Sequence, residues 1–362
     1  MSVKVRKAIA DIPSYKAAKT VKAAQEESGI KTIVKLAGNE NNLGCSPNVA
    51  KALTNAFPEL SRYPEFSNAE LAGRIASKYG VDRSELIFTN GSFELISVVA
   101  SAYLNPGEES VIPDPSFGWY RNVTKQAGAK EVIVPLKDDY VDIYAMLDAV
   151  TENTKLLWIC NPNNPTGTGY THSEIEEFLK KVPQHVLVVL DEAYIDFWNG
   201  EDRVDAGKLI HTYNNVIALR TFSKLHGLAS LRIGYGLANQ EIISNLRKAK
   251  VPIDITMAGQ VAAVAAFDDE EFQRKVIENN KKGLELYYRT LEDLGLKYIP
   301  SNGNFIMFDT GTDSGWVVSE YLKRGYVIRD GKDFGRPGWL RVTIGKPEEN
   351  EKVLEILEEL IG

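Results

Sequence analysis

Lys224 stands in the run Thr221-Phe222-Ser223-Lys224-Leu225-His226-Gly227-Leu228-Ala229-Ser230-Leu231-Arg232, directly behind the apolar stretch Val216-Ile217-Ala218-Leu219. The apolar stretch predicts a buried strand. A lysine placed between a hydroxyl residue and a glycine predicts a turn at the strand's end rather than a solvated helix face. In an open α/β sheet the strand ends open onto the ligand crevice. A lysine held there loses water, its pKa falls, and its amine becomes a nucleophile toward an aldehyde. Ser223 is adjacent and Arg232 lies eight residues on, so the two could hold a phosphate beside that amine. An amine next to an anion site points to pyridoxal phosphate, whose aldehyde forms a Schiff base with a lysine. Taken alone, the segment is equally compatible with a surface lysine in a loop.

Other predicted strand ends carry groups that complement the amine. Asp191 ends the all-apolar run Val186-Leu187-Val188-Val189-Leu190, where a carboxylate without a partner is costly to bury. A cationic ring nitrogen would supply that partner. At about 4 Å and an effective dielectric near 20 the attraction is about 4 kcal/mol, roughly a thousandfold in the nitrogen's protonation equilibrium. Asn164 and Tyr194 could hydrogen-bond a phenolic oxygen, Phe117 could stack on a ring face, and Gly91-Ser92 with Ser223 and Arg232 could hold a phosphate. Each position also has a plain structural reading: a helix N-cap for Asp191, a turn for Asn164-Pro165. Their coincidence with the Lys224 turn favours the site.

The elements that must position these groups alternate along the chain. Strands are predicted at Leu86–Asn90, Ser110–Asp114, Lys155–Cys160, Val186–Leu190, Val216–Arg220 and Arg232–Leu237. Gly91-Ser92 opens a helix after the first of these, which aims backbone N–H groups at an anion. Pro115–Tyr120 is the exit turn of the second, and Asn161–Gly167 that of the third. Ser67–Glu70 and Thr171–Glu174 read as capping boxes, the first followed by Leu71, Ile75 and Tyr79 on one helix face. The β-α alternation predicts a mostly parallel sheet covered by helices on both faces. The N-terminal residues 1–30 read as an arm, with Tyr15 ahead of a helix over Lys16–Glu27. Leu36–Gly44 reads as a polar loop. Residues 31–250 form the expected large domain. Residues 251–362 form a smaller α+β domain, with a helical region over Ala258–Leu294, strands at 304–308, 326–329 and 339–344, and a last helix from Pro347.

Composition narrows the class further. A chain of 362 residues has room for two domains with ample cores. A net charge of −7 and the lack of a basic run argue against a nucleic-acid surface. No stretch approaches the roughly 18 apolar residues of a membrane span, and the charged first residues do not read as a signal peptide. Cys45 and Cys160 make neither a disulfide framework nor a metal site, and the four histidines show no ligand spacing, so no metal is expected. A cytoplasmic location fits.

With these motifs in hand, the chain resembles the fold-type I, pyridoxal phosphate-dependent aminotransferases, the class that includes histidinol-phosphate aminotransferase. The matching segments are Asn39-Glu40-Asn41, Arg62-Tyr63-Pro64, Gly91-Ser92, Asn161–Gly167, Asp191-Glu192-Ala193-Tyr194, Thr221–Lys224, Leu231–Tyr235 and Leu340–Gly345. They run in the family's order and span nearly the whole chain. The resemblance implies a large domain with a mostly parallel seven-stranded sheet. It implies that Lys224 carries the cofactor and moves the proton, that Asp191 pairs with the pyridine nitrogen, and that Asn164 and Tyr194 contact the phenolic oxygen. Gly91, Ser92, Ser223 and Arg232 are expected at the cofactor phosphate and Phe117 at its ring. Tyr63 is expected to reach the phosphate of the neighbouring subunit in a homodimer. Arg341 is expected to take the substrate's carboxylate or phosphate, with Arg329, Tyr15 and Asn39 as further substrate contacts.

The implied reaction moves an amino group from an amine donor to a 2-oxo acid. The specific expectation is histidinol phosphate and 2-oxoglutarate going to imidazole-acetol phosphate and glutamate. An aromatic amino-acid aminotransferase and a phospho-amino-acid decarboxylase are the alternatives on the same scaffold. A non-catalytic regulator is disfavoured, because the chain has no room for a DNA-binding domain. Four positions depart from the family pattern: Phe93 replaces an acid, Asn42 replaces a proline, Lys250–Ile255 replaces an Arg-x-Pro-aromatic-Asn run, and His226 sits beside the lysine turn. None alters the Lys224–Asp191 pair; all bear on substrate choice.

Overall fold

The structure is a computed structural model that describes residues 3–14 and 18–361. The apolar runs do form strands. They are β1 (Val34–Lys35), β2 (Leu86–Thr89), β3 (Glu109–Asp114), β4 (Lys130–Pro135), β5 (Thr154–Cys160), β6 (Leu187–Asp191), β7 (Val216–Thr221), β8 (Gly234–Ala238), β9 (Tyr298–Ile299), β10 (Phe305–Asp309), β11 (Tyr326–Val327), β12 (Arg329–Asp330) and β13 (Trp339–Thr343).

Seven of them make the main sheet, in the order β2-β8-β7-β6-β5-β3-β4. β8 runs antiparallel to both its neighbours and the other pairs are parallel. The core strands β5, β6 and β7 are almost wholly buried, because helices cover both faces. One core cluster lies on each face: Phe178, Ile195, Leu209 and Phe222 belong to one, Leu95, Tyr120, Trp158 and Leu246 to the other. Register brings Cys160, Asp191 and Leu219 side by side at the carboxyl ends of β5, β6 and β7. Those ends form the floor of the site.

A second, antiparallel sheet has the order β12-β13-β10-β9. Its core gathers Phe308, Tyr321, Leu340 and Leu357 from the C-terminal part of the chain, together with Leu36 from near the N-terminus. β1 pairs in parallel with β11, so the Leu36–Gly44 segment enters from this side and crosses toward the main sheet.

The structure differs from the sequence reading in several places. β4 was absent from it: the strand lies at the sheet edge and its residues are mostly half-exposed, so it lacks the continuous apolar run of its neighbours. In the arm region a four-residue helix, Lys7–Ala10, comes first, and the helix expected over Lys16–Glu27 is found at Val21–Ser28, capped by Thr20 and ended by Gly29. The Ser67–Glu70 capping box does not form. The Glu65 carboxylate instead accepts from Ser67 N, Ser67 Oγ and Ala69 N, and Asn68 caps the helix with φ +51. The Thr171–Glu174 box does form, with both reciprocal bonds. The helical region after residue 257 is two helices, Met257–Phe267 and Glu270–Asp293, separated at Asp268-Asp269. The expected strand at 326–329 is split between β11 and β12, which belong to different sheets.

Candidate active site

Asp191 is the last residue of β6 and is 4% exposed. Two hydrogen bonds hold it: Tyr120 Oη donates at 2.7 Å and Ala193 N at 3.2 Å. Tyr120 is itself fully buried and stacks on Trp158 at 4.8 Å. Neither donor to Asp191 is cationic. Burial therefore pushes its carboxyl above the ordinary value, while Tyr120, the Ala193 N–H and the Lys224 charge pull it back.

Lys224 lies in the turn after β7 and is half-buried. Its Nζ donates to the Gly38 carbonyl at 3.1 Å and sits 5.4 Å from the Tyr194 ring. Burial lowers the ammonium to about 8, and the charge of Arg341 adds to the effect. The turn is seated by Gly227, whose φ of +68 and contact with the Gly44 carbonyl leave no room for a Cβ. Asn41 Nδ2 donates to the Leu225 carbonyl at 2.9 Å from the same polar loop. The Leu36–Gly44 loop is therefore a wall of the site.

Beside the lysine turn, Arg232 bends back in a left-handed conformation, φ +53. Its guanidinium donates to Ser223 Oγ at 3.4 Å, to the Ala229 carbonyl at 2.9 Å and to the Asn90 carbonyl at 3.4 Å. Gly91, at φ +81, packs so closely on this guanidinium that a Cβ would collide with it. Ser92 opens the helix Ser92–Tyr103. Helix N-terminus, hydroxyl and guanidinium thus converge, which is the chemistry of a phosphate cradle.

Arg341 comes from β13 of the second sheet and is 5% exposed. It donates to Asn164 Oδ1 at 2.5 Å and to the Ala37 carbonyl at 2.9 Å. Tyr194 Oη accepts from Asn164 Nδ2 at 3.4 Å and from Asn39 Nδ2 at 3.0 Å. Asn39 is completed by Thr343 Oγ1, which accepts from Asn39 N at 2.9 Å. Burial raises the Tyr194 phenol, so it is a neutral hydrogen-bonding group.

Not every predicted residue joins this cluster. Tyr63 is 87% exposed, on a segment with Phe57, Leu60 and Phe66 that is also exposed. Arg329 is engaged by Asp333 at 2.6 Å and lies 5.5 Å from the Phe334 ring. Phe117 is half-buried against Phe93 and Tyr120, with centroids 5.3 and 5.6 Å away. Tyr15 lies outside the described residues. Among the departures, Asp254 is ion-paired with Lys250 and Ile253 is 44% exposed. His226 is buried against Phe222 at 4.7 Å. Sequence reasoning missed Tyr120 and Thr343. Each meets its partner only through the fold, and Tyr120 was visible merely as an aromatic in a strand-exit turn.

The profile of the family described as Aminotransferase class I and II matches residues 31–357. The chain belongs to that family and is a pyridoxal phosphate-dependent aminotransferase of fold type I. Among its relatives, the histidinol-phosphate aminotransferase of Geobacillus sp. (strain WCH70) is 40% identical over 359 residues, covering 99% of this chain and 98% of that one. The histidinol-phosphate aminotransferase 2 of Carboxydothermus hydrogenoformans is 42% identical over 355 residues, covering 98% of each. The crystal structure of histidinol-phosphate aminotransferase from Sinorhizobium meliloti, in complex with pyridoxal 5'-phosphate, superposes with a TM-score of 0.89 at 25% identity and covers 99% of both chains.

The residues present fit that cofactor. Asp191 is a buried carboxylate whose hydrogen-bond donors are neutral, Lys224 is an amine of lowered basicity, and Gly91 leaves the Arg232 guanidinium uncovered by any side chain at that position.

Proposed function

We propose that the chain transfers the amino group of histidinol phosphate to 2-oxoglutarate, giving imidazole-acetol phosphate and glutamate. The observation that carries the reading is the convergence of Lys224, Tyr194, Asn164 and Arg341, contributed by two sheets, in one cluster. Full-length likeness to relatives named for this activity supports the donor.

Asp191 would hold the ring nitrogen of pyridoxal phosphate. Asn164 and Tyr194 would hold its phenolic oxygen, Phe117 would flank the ring, and Gly91, Ser92, Ser223 and Arg232 would hold its phosphate. Bound there, the cofactor supplies an aldehyde for the amino group and a ring that accepts the electron pair left when the donor's carbon loses its proton. Lys224 Nζ takes that proton from the amine-bearing carbon of the donor and later delivers one to the oxo carbon of the acceptor. Its pKa near 8 suits both directions at neutral pH. Arg341 offers a planar guanidinium, which grips a phosphate in the first half of the reaction and a carboxylate in the second. Asn39 orients Tyr194, and Arg329, opposite Arg341 in the β12–β13 pairing, would add a second anion contact once released from Asp333.

The active unit is a homodimer in the cytoplasm. The exposed apolar side chains of Phe57, Leu60, Tyr63 and Phe66 support it, since large apolar side chains gathered on one exposed segment mark an interface. Tyr63 reaches the cofactor phosphate of the neighbouring subunit. Residues 31–250 form the large domain, residues 251–362 the small one, and residues 1–30 an arm.

The test is a half-reaction on the purified, cofactor-loaded protein, followed through the cofactor's visible band, with histidinol phosphate, phenylalanine, glutamate or phosphothreonine as the sole amine. Fast bleaching by histidinol phosphate and slow bleaching by phenylalanine support the proposal. The reverse order makes the chain an aromatic aminotransferase. Carbon dioxide release from phosphothreonine without an oxo acid makes it a decarboxylase.

A further inference from the structure

We propose that the ion pair between Arg336 and Asp139 is a clamp that positions Arg341 for the acid group of the substrate. The inference rests on the reading of Arg341 as the substrate's anion contact.

The Arg341 guanidinium lies against two aromatic rings, 5.4 Å from the centroid of Phe305 and 4.8 Å from that of Phe334. Phe305 belongs to β10, which pairs directly with β13, so its place is set by the sheet. Phe334 has no such support. It ends the short turn Gly331–Phe334 between β12 and β13. That turn is tied at its start, where Asp330 accepts from Lys332 N at 3.0 Å and from Ser314 Oγ at 2.8 Å. Beyond it, Arg336 N donates to the Gly331 carbonyl at 2.9 Å. The Arg336 guanidinium, 5.4 Å from the Trp339 ring, then reaches across to the other sheet and pairs closely with Asp139.

Asp139 sits in the turn after β4 with φ +69, and its neighbour Asp138 has φ +50. Two successive left-handed residues without glycine cost energy, and outside contacts hold them. The Asp139 carbonyl accepts from Thr168 Oγ1 at 2.7 Å. Thr168 shares a hydrogen bond of 2.8 Å with Thr166, whose hydroxyl accepts from Asn163 Nδ2 at 3.0 Å. The next residue, Asn164, accepts from Arg341 itself. The circuit therefore leaves Arg341 through Asn164, crosses to Asp139 and Arg336, and returns through the Phe334 ring to the same guanidinium.

Exposed ion pairs contribute little. Here the side chains of Arg336 and Asp139 are 23% and 31% exposed, and the pair ties the Phe334 turn, whose ring lies on Arg341, to the turn that hydrogen-bonds the loop carrying Asn164. Its effect is orientation. A guanidinium held by two rings and two hydrogen bonds is already turned for a two-point grip, so less ordering remains to be done when the anion arrives.

The test compares Asp139→Asn, Arg336→Gln, the double variant and Arg341→Lys in the cofactor-loaded protein. Asparagine tolerates the left-handed backbone, so Asp139→Asn removes charge alone. The first readout is the Kd of succinate, a dicarboxylate that cannot react, measured by calorimetry. The second is the split between KM and kcat for 2-oxoglutarate. Each single clamp variant is expected to weaken succinate and raise KM by about tenfold, with kcat changed by less than about twofold. The double variant is expected to be no weaker than the weaker single. Clamp variants that lower the melting temperature but leave the succinate Kd unchanged overturn the proposal, as does a double variant with additive losses. If Arg341→Lys then still weakens succinate, the reading of Arg341 survives without the clamp. If Arg341→Lys also leaves the Kd unchanged, or the parent protein binds no succinate, both are overturned.

Discussion

The two ends of the site are built differently. Lys224 and Asp191 stand at the ends of neighbouring parallel strands, with Asp191 in register with Leu219, so the geometry between them follows from one sheet's pairing. Arg341 reaches the same cluster from an antiparallel sheet, and is fixed by Asn164 and Ala37, 177 and 304 residues away in the chain. The reacting end is thus set by a rigid, buried register. The proposed substrate-recognising end is set by side-chain and loop contacts of a residue from the second sheet. Changes at the first end should abolish turnover, and changes at the second should alter which acid binds and how tightly.

The sharpest break in that contrast is at Lys224. Lys224→Ala should lower kcat by at least about a thousandfold, since the variant loses the amine proposed to move the proton. Asp191→Asn should follow, at roughly a hundredfold to a thousandfold in kcat, because the carboxylate's charge would be lost from a buried position. Both are read in steady-state assays, and neither should raise KM in proportion. Arg341→Gln should do the opposite: KM for 2-oxoglutarate should rise about tenfold to a hundredfold, the range for a lost charge-assisted hydrogen bond. Loss in kcat alone would move Arg341 from the substrate end to the structural frame.

How far this division was legible in the chain follows the same line. The strand ends were readable, because Val186–Leu190 and Val216–Leu219 are apolar without interruption and the polar residue that ends each run is conspicuous. Asp191, Lys224 and the Gly91-Ser92 turn could be placed on that basis. The edge strand β4 was not readable, because half of its surface faces out and its pattern resembles a loop. Asp139 and Arg336 carry no local signal, and Tyr120 only that of an aromatic in a strand-exit turn. Their partners lie 71 residues away for Tyr120 and 197 for the Asp139–Arg336 pair, so nothing short of the folded chain pairs them.

Tyr120 offers a finer probe of the reacting end. Tyr120→Phe removes one neutral hydrogen bond to Asp191 and keeps the ring stack on Trp158. A loss of about fivefold to tenfold in kcat is expected, with the pH profile of the cofactor's visible band displaced relative to the parent. An unchanged band profile would mean that Tyr120 only packs.

The smallest effect concerns stability near the lysine turn. Burial lowers His226 from the ordinary 6.5 to about 4, against the Asp196 carboxylate and the Ala266 backbone contact, which favour its charged form; the Lys78 charge disfavours it. Between those values the unfolded chain binds a proton that the folded chain does not, so stability falls as the pH drops from about 6.5 toward 4. The difference corresponds to roughly 3 kcal/mol at most. His226→Phe should flatten that part of the unfolding curve, measured by denaturant titration at several pH values, and leave kcat near the parent's. An identical pH dependence in the variant would show that His226 is already charged in the folded protein.

The most direct test of the reacting end is to reduce the cofactor-loaded protein with borohydride, digest it, and locate the added cofactor mass by mass spectrometry. The cofactor should be fixed to the peptide containing Lys224 and to no other lysine. Its absence, or its appearance on a lysine outside the turn that follows β7, would contradict the account.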